Sequence, residues 1–269
     1  LRGISNPAFL TSDSTGNRIY AIGDDEGKSS TANALLFDKE SGLLSLLNSQ
    51  STDGELPIYI TLSPKEYFVL TANYKGGSIT VFSQDKKGKL QRDTKIIRFA
   101  GNGPNKKRQE QSHLHCVTFT PDGKFLLATD LGTDCIYLFP IGKRPEAGKA
   151  HSLLDESRVV RIQMDSGSGP RHICFHPNGR FAYLISELSG KITVFSYNEG
   201  KLERLQTIVC DPFVAEGNAD IHVSSDGKFL YASKHLKEDG IIVYSIDSQK
   251  GTLAVSYTHL RAHETRRHL

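Results

Sequence analysis

The chain has 269 residues, with 33 lysines and arginines against 30 aspartates and glutamates and a formal net charge of +3 at pH 7. This balance gives no reason to expect nucleic acid or an anionic membrane as a partner, and no stretch approaches the roughly 18 apolar residues of a membrane helix. The four cysteines lack CxxC and His–Cys ligand spacing. We therefore predict no metal site and a reducing, cytoplasmic location.

Five similar copies of one segment follow each other along the chain. They begin with NPAFLTSDSTGNRIYAIGDDEG at 6–27 and PIYITLSPKEYFVLTANYKGGSITVF at 57–82, and continue at 113–139, 169–195 and 219–245. The later copies are spaced by 57, 56 and 48 residues when measured between equivalent turn residues, which are Pro64, Pro121, Pro177 and Ser225. A period near 50 with several short strands is typical of the four-stranded blades of a propeller.

Each copy predicts three short strands and a looser outer strand. In the third copy these are Val117 to Phe119, Phe125 to Ala128, Ile136 to Phe139 and Val159 to Met164. The Asp-Gly and Asn-Gly pairs predict two-residue hairpins, because they adopt positive φ at little steric cost. The sequence thus predicts an all-β propeller of antiparallel four-stranded blades, about five in number, and excludes a helical solenoid.

The segment 254–269 departs from the blade pattern. Its AVSYTHLRAHET resembles the translation of a transposon-type sequencing adapter over eleven residues from Val255. We therefore expect a partial propeller domain at 1–253, cut at both ends, and a non-native tail at 254–269. The alternative is a genuine basic tail that binds nucleic acid. Without the tail, which holds three arginines and one glutamate, the net charge falls from +3 to +1.

Two positions of the repeat hold different polar residues in different copies and so predict function rather than packing. The first position lies six residues before the turn proline and holds, in the second to fifth copies, Ile58, His115, Arg171 and Ala219. The second position lies ten residues after that proline and holds Tyr74, Leu131, Glu187 and His235. Equivalent positions around a ring of blades face its axis, so we expect these side chains to meet at one mouth of the channel.

The predicted catalytic set is His115, Arg171 and Glu187. A histidine acts as acid or base near neutral pH, a guanidinium binds an anion or an oxyanion, and a carboxylate activates water or orients the histidine. The set suits addition of water to a carbonyl with no metal or cofactor. The alternative is that these side chains satisfy backbone groups at a channel rim.

Other polar residues have mainly structural interpretations. His113 lies two residues before His115 and belongs either to the same mouth or to its rim. Asp130 and Asp134 flank a tight turn, which favours a structural role, and the basic run at 106–108 is interpreted as a solvated loop. No metal-ligand spacing relates the remaining histidines of interest, which are His172, His176 and His222.

The segments SHLHCVTFTPDGKFLLATDLGTDCIY at 112–137, GPRHICFHPNGRFAYLISELSGKITVF at 169–195 and NADIHVSSDGKFLYASKHLKEDGI at 218–241 resemble the seven-bladed propeller lactonases, whose named activity is 6-phosphogluconolactonase. The resemblance covers 1–253 and implies that about five of seven blades are present, as an open arc. It implies a cytoplasmic enzyme that opens 6-phospho-D-glucono-1,5-lactone to 6-phosphogluconate in the pentose phosphate pathway. We expect the full-length protein to be a monomer with this small-molecule lactone as its partner.

The resemblance also implies which residues act. The family's active-site histidine, arginine and glutamate fall on His115, Arg171 and Glu187. Where relatives have Ser-Asn-Arg, this chain has Ser-Lys-His at 233–235, so His235 replaces an arginine expected to hold the substrate's anionic group. His235, His113 and Tyr74 are the predicted substrate-binding residues.

Three functions remain open at this point. The first is the sugar-phosphate lactonase. The second is a lactone hydrolase or a cyclising lyase, like the related carboxymuconate-cyclising enzyme, that acts on a carboxylated substrate without phosphate. The third is a binding propeller without catalysis, which the absence of tryptophan and the 9% aromatic content do not favour.

Overall fold

The computed structural model describes residues 4–26, 29–143, 145–210, 217–234 and 240–260. These residues form five antiparallel sheets of four strands, and in every sheet the strands lie side by side in chain order. The chain divides into two compact units. The first unit, residues 1–169, holds the first three sheets, and the second unit, residues 170–269, holds the last two.

The first unit holds three sheets, each made of four consecutive strands. The first sheet contains β1 (Leu10–Ser12), β2 (Arg18–Asp24), β3 (Ser30–Phe37) and β4 (Leu44–Ser51). The second contains β5 (Pro57–Leu62), β6 (Phe68–Asn73), β7 (Ser78–Gln84) and β8 (Leu90–Arg98). The third contains β9 (Leu114–Phe119), β10 (Phe125–Asp130), β11 (Cys135–Pro140) and β12 (Val160–Gln163). Two short 3₁₀ turns, Ala150–Ser152 and Glu156–Arg158, lie between β11 and β12.

The second unit repeats this arrangement twice. The fourth sheet contains β13 (Pro170–Phe175), β14 (Phe181–Ser186), β15 (Lys191–Asn198) and β16 (Lys201–Val209). The fifth contains β17 (Asn218–Val223), β18 (Phe229–Lys234), β19 (Gly240–Ile246) and β20 (Leu253–Leu260). The prediction of five antiparallel four-stranded sheets is thereby confirmed, whereas the open arc stays a prediction.

The last strand runs into the segment that the sequence assigns to a non-native tail. β20 begins at Leu253 and pairs with β19, with Ala254 opposite Ser245 and Val255 opposite Tyr244. Because the ladder hydrogen bonds join backbone groups, this pairing does not depend on the origin of the side chains. The boundary at 253 therefore stays a prediction.

The turn between the first and second strands is the same in all five sheets, but it is not a two-residue hairpin. In the third sheet the connection is Thr120–Lys124, and the Thr120 N–H donates to the Phe125 carbonyl (3.0 Å) while the Gly123 N–H donates to the Thr120 carbonyl (2.8 Å). The two-residue prediction is wrong because four residues lie between Thr120 and Phe125, whose hydrogen bond closes the turn. One residue in each turn adopts a positive φ. That residue is Gly16, Glu66, Gly123, Gly179 or Gly227 in the five sheets.

The apolar core lies between neighbouring sheets within each unit. In the first unit, Phe68 and Val81 of the second sheet pack with Val117 and Phe139 of the third. In the second unit, Tyr183 of the fourth sheet belongs to the same buried cluster as residues of the fifth. Since strand side chains alternate between faces, the central strands of the second sheet contribute apolar side chains to the clusters with both the first and the third sheet.

A tyrosine hydroxyl also joins neighbouring sheets. Tyr20 of β2 donates to the Gly88 carbonyl in the β7–β8 turn (3.1 Å), and Tyr183 of β14 donates to the Gly251 carbonyl in the β19–β20 turn (3.1 Å). Burial raises the pKa of both hydroxyls, so both remain protonated donors. The same contact thus repeats in the two units.

The tyrosine contact predicts a loss of stability on removal of one oxygen. Tyr183→Phe leaves the buried Gly251 carbonyl without this donor, and we expect the free energy of unfolding to fall by about 1–2 kcal/mol. Urea denaturation measures this change. Tyr67→Phe is the control, because Tyr67 is 46% exposed and its variant should change stability much less. Equal losses in the two variants would contradict the interpretation.

Candidate active site

A β-bulge recurs at the first of the two variable positions. In each sheet from the second to the fifth, the register between the first and second strands shifts by one residue near the start of the first strand. The shift lies at Ile58, His115 and Arg171 in the second to fourth sheets, which are the residues that the sequence placed at this position. In the fifth sheet it lies between Asn218 and Ile221 and so includes Ala219. A bulge bends the strand and redirects a side chain, and such bulges are common beside active sites.

The second variable position directly follows the second strand of each sheet. Tyr74 follows β6, Leu131 follows β10 and Glu187 follows β14. His235, the equivalent residue after β18, lies outside the described residues. In an antiparallel pair the end of the second strand lies beside the start of the first, so both variable positions occupy one end of each sheet.

In the first unit the predicted residues come together around Tyr74. The Tyr74 ring stacks on the ring of His113, with centroids 4.3 Å apart and an interplanar angle of 14°. It also meets the His115 ring edge to face, at 5.5 Å and 79°. Both histidines are buried. Three predicted residues from the second and third sheets therefore form one aromatic cluster.

The ring of His113 bonds to two acceptors. Its Nδ1 lies 3.0 Å from the Tyr74 carbonyl oxygen, and its Nε2 lies 3.2 Å from Glu110 Oε1. Because a carbonyl and a carboxylate only accept, both hydrogen bonds form together only when the ring carries both protons. The hydrogen bond with its own backbone amide lowers the pKa of Glu110, and the hydrogen bond with His113 lowers it further. Desolvation opposes both effects.

Asp130 and Asp134 hold the loops around this cluster. Asp130 accepts from the Ser112 hydroxyl (2.7 Å) and from the backbone amide of His113 (2.7 Å). Asp134 accepts from the backbone amides of Gly167 (2.7 Å) and Gly169 (2.8 Å). The structural interpretation of both aspartates is therefore confirmed.

The loop between the second and third sheets brings a cation that the sequence interpretation missed. Gln109 is fully buried and donates to the Leu131 carbonyl (2.9 Å) and to Asp134 Oδ1 (2.8 Å). Next to it, Arg108 is only partly exposed, and its Nη2 lies 3.4 Å from the Tyr74 hydroxyl. The interpretation of 106–108 as a solvated loop is therefore wrong for Arg108, since the buried Gln109 anchors the loop at the site.

In the second unit the predicted arginine and glutamate form an ion pair. Arg171 Nε donates to Glu187 Oε2 at 3.0 Å, with side chains 16% and 7% exposed. Arg171 Nη1 also donates to the carbonyl oxygen of Ala219, which lies within the bulge of the fifth sheet. The guanidinium is thus held by Glu187, at the second variable position of its own sheet, and by Ala219, at the first variable position of the next sheet.

Beside this pair, Asp220 bridges two histidines. His172 Nδ1 lies 2.7 Å from Asp220 Oδ1, and His222 Nε2 lies 2.9 Å from Asp220 Oδ2. Burial lowers the pKa of His172, whereas the hydrogen bond with Asp220 raises the pKa of His222. Although burial alone would raise it, the pKa of Asp220 is held well below its usual range by the hydrogen bonds from His172 and His222. The sequence did not predict this group, because the spacing of the histidines alone does not include Asp220.

The two groups of predicted residues lie in different units. His115, His113 and Tyr74 belong to the first unit, and Arg171 and Glu187 to the second. Each group forms one cluster, as described above. The convergence of His115 with Arg171 and Glu187 stays a prediction.

Other features of the described residues lie away from these clusters. A cavity of about 390 Å³ in the first unit is lined by turn residues at the opposite end of the strands, including Pro64, Lys65 and Lys124. Within the described ranges, no group of three or more His, Cys, Asp or Glu side chains is arranged to hold a metal ion. No helix among those residues is long and apolar enough to cross a membrane. The absence of metal and cofactor stays a prediction.

The Arg171–Glu187 pair predicts a difference between buried and exposed ion pairs in one unit. Glu187→Gln leaves a largely buried guanidinium without its carboxylate, so we expect the free energy of unfolding to fall by about 1–3 kcal/mol. Glu203→Gln is the matched control, because the Lys201–Glu203 pair has side chains 74% and 60% exposed, and it should leave stability unchanged. Urea denaturation measures the free energy of unfolding of both variants. Equal losses would show that the buried pair stabilises the fold no more than the exposed pair does.

Comparison with known proteins identifies the family. The family model described as "Lactonase, 7-bladed beta-propeller" matches residues 1–268. The 6-phosphogluconolactonase of Bacillus subtilis is 34% identical over 259 residues, which are 93% of this chain and 70% of the relative. The 6-phosphogluconolactonase of Formosa agariphila is also 34% identical, over 93% of this chain and 70% of its own length.

Solved structures agree with this assignment. A candidate 6-phosphogluconolactonase from Bacteroides fragilis superposes with a TM-score of 0.89 at 42% identity, covering 96% of this chain and 72% of that protein. The periplasmic gluconolactonase PpgL of Pseudomonas aeruginosa has a TM-score of 0.84 at 28% identity, covering 96% and 73%. This chain belongs to the lactonase family with the seven-bladed β-propeller fold.

Proposed function

We propose that the protein hydrolyses 6-phospho-D-glucono-1,5-lactone to 6-phosphogluconate, the lactone-opening step of the pentose phosphate pathway. Two relatives at 34% identity over 93% of the chain are named for this activity. The observation that carries the proposal is the buried Arg171–Glu187 pair at a bulge, because His115 occupies the same bulge position in the preceding sheet. A base and an oxyanion-binding cation are what the addition of water to a lactone carbonyl needs.

In the proposed reaction His115 is the general base. It accepts a proton from water while the water oxygen bonds to the carbonyl carbon, and Arg171 donates hydrogen bonds to the oxyanion that forms. The bond from that carbon to the ring oxygen then breaks, and the ring oxygen takes the proton back from His115. The carboxylic acid product ionises in solvent.

Glu187 supports this reaction without acting as the base. Its Oε2 lies 3.0 Å from Arg171 Nε and accepts a hydrogen bond from it, so this oxygen is directed at the guanidinium. Because Glu187 and the Ala219 carbonyl hold the guanidinium in place, Arg171 needs little reorganisation as charge develops on the substrate.

The main alternative substrate is a gluconolactone without phosphate. The likeness to PpgL, which is named as a periplasmic gluconolactonase, favours this second candidate. Arg108 favours the phosphorylated substrate, since its cation lies 3.4 Å from the Tyr74 hydroxyl and the Tyr74 ring contacts His115. We therefore assign the substrate's phosphate to Arg108.

We also propose that the protein works as a monomer in the cytoplasm. The four cysteines are thiols and not disulfides, and Cys116, Cys135 and Cys210 are buried. Reduced thiols suit a reducing compartment, where disulfides rarely form. Light scattering coupled to size-exclusion chromatography measures the mass in solution.

Hydrolysis of the two lactones tests the proposed function. We expect kcat/KM on the phosphorylated lactone to exceed that on gluconolactone by about tenfold or more, after subtraction of spontaneous hydrolysis. Arg171→Ala should lower kcat/KM on the better substrate by about 10²- to 10³-fold. Arg180→Ala, in the exposed turn of the same sheet, is the matched control and should have no effect. A protein that accelerates neither reaction would refute the proposal.

Arg108 predicts a change in substrate preference. Arg108→Gln removes the cation, so we expect KM for the phosphorylated lactone to rise about tenfold and KM for gluconolactone to stay unchanged. Lys107→Gln removes the same charge from an exposed neighbour and should change neither constant. Equal increases in KM for both substrates would show that Arg108 stabilises the loop and does not bind the phosphate.

A further inference from the structure

The proposed reaction does not use the histidines beside Arg171. His172 is buried and hydrogen-bonded to Asp220 at 2.7 Å, and the other oxygen of Asp220 bonds to His222 at 2.9 Å. On its other side, His172 Nε2 lies 3.5 Å from Arg171 Nη1. A continuous chain of polar contacts therefore runs from the exposed His222 through Asp220 and His172 to the guanidinium.

The donors and acceptors in this chain determine the tautomer of His172. A carboxylate only accepts, so the proton of the neutral ring lies on Nδ1 and points to Asp220 Oδ1. Nε2 then carries a lone pair. A guanidinium only donates, so this lone pair matches the Arg171 Nη1–H that faces it. Burial, which lowers the pKa of His172, keeps the ring in this neutral form.

Three acceptors thus lie around the guanidinium of Arg171 among the residues that the structure describes. Glu187 Oε2 accepts from Nε, and the Ala219 carbonyl and His172 Nε2 both face Nη1. Glu187 and Ala219 lie at the variable positions, whereas His172 lies within β13 and is supported by a residue of β17. A guanidinium that is already held by several hydrogen bonds loses less conformational entropy when it binds an anion.

We propose that His172 is a positioning residue that acts through Arg171, with Asp220 selecting the tautomer that makes this possible. Its consequence for catalysis rests on the proposed function. Its structural part, the neutral Nδ1–H tautomer of His172, stands independently of the substrate.

The tautomer is measured without any substrate. Long-range ¹H–¹⁵N spectra of protein labelled at histidine distinguish the Nδ1–H form, the Nε2–H form and the imidazolium. At pH 7 we expect His172 in the Nδ1–H form, with its signals assigned by comparison with His172→Gln. Finding either of the other two forms would overturn the proposal even if the protein opens the lactone as proposed.

A double-mutant cycle tests the action through Arg171. His172→Phe removes the acceptor, and we expect kcat/KM to fall about tenfold or more, with His172→Gln recovering part of the loss because its amide oxygen accepts. In the Arg171→Ala background, His172→Phe should have no further effect. If the losses in kcat/KM of the two single variants add in the double variant, His172 does not act through Arg171, and the proposal is overturned.

His222→Asn is the matched control, because His222 bonds the other oxygen of Asp220 and its side chain is 68% exposed. It should keep kcat/KM within about twofold of the wild type; a loss equal to that of His172→Phe would contradict the proposal. If His172→Phe does not fold, Asp220→Asn takes its place in the cycle, with the same outcomes expected. If the wild type opens no lactone, the proposed function fails, and the tautomer measurement still decides the inference.

Discussion

One extra residue in the first strand of a sheet determines where the candidate functional side chains point. In a regular strand His115 and Arg171 would alternate with their neighbours between the two faces of the sheet. At the bulge, the register with the second strand shifts by one residue at His115 and at Arg171. The backbone bends there, and each side chain is redirected at the end of its sheet. The bulge recurs from the second sheet to the fifth, so the fold supplies one equivalent position per sheet that can vary without loss of packing.

The charged groups beside the bulges lie against hydrogen-bonding partners. Arg171 is paired with Glu187, and Asp220 is bonded to His172 and His222. An isolated guanidinium in place of the Arg171–Glu187 pair would be costly, because the two side chains are only 16% and 7% exposed. Pairing therefore places a guanidinium at the candidate site and orients it at the same time. The same acceptors that compensate its charge define the direction of its donors.

Much of the fold follows from local pattern. The repeat period, the alternation of apolar residues and the position of turn glycines such as Gly123 predict the number of sheets, their four strands and their antiparallel order. The detailed turn was not predictable from the Asp-Gly pair alone, since Gly123 but not Asp122 adopts a positive φ. The connection between β11 and β12 is long and holds two 3₁₀ turns, and no repeat in the sequence describes it.

The candidate site divides in a similar way. The sequence by itself determined which positions differ between copies, and so selected His115, Arg171 and Glu187, because equivalent positions in a repeat are comparable by alignment alone. Only the tertiary structure decided that Glu187 binds Arg171, that Arg108 reaches Tyr74, and that Asp220 supports His172. Those contacts join residues that are 16, 34 and 48 positions apart. Their distances depend on how neighbouring sheets pack and how loops are anchored, and no periodicity along the chain encodes that.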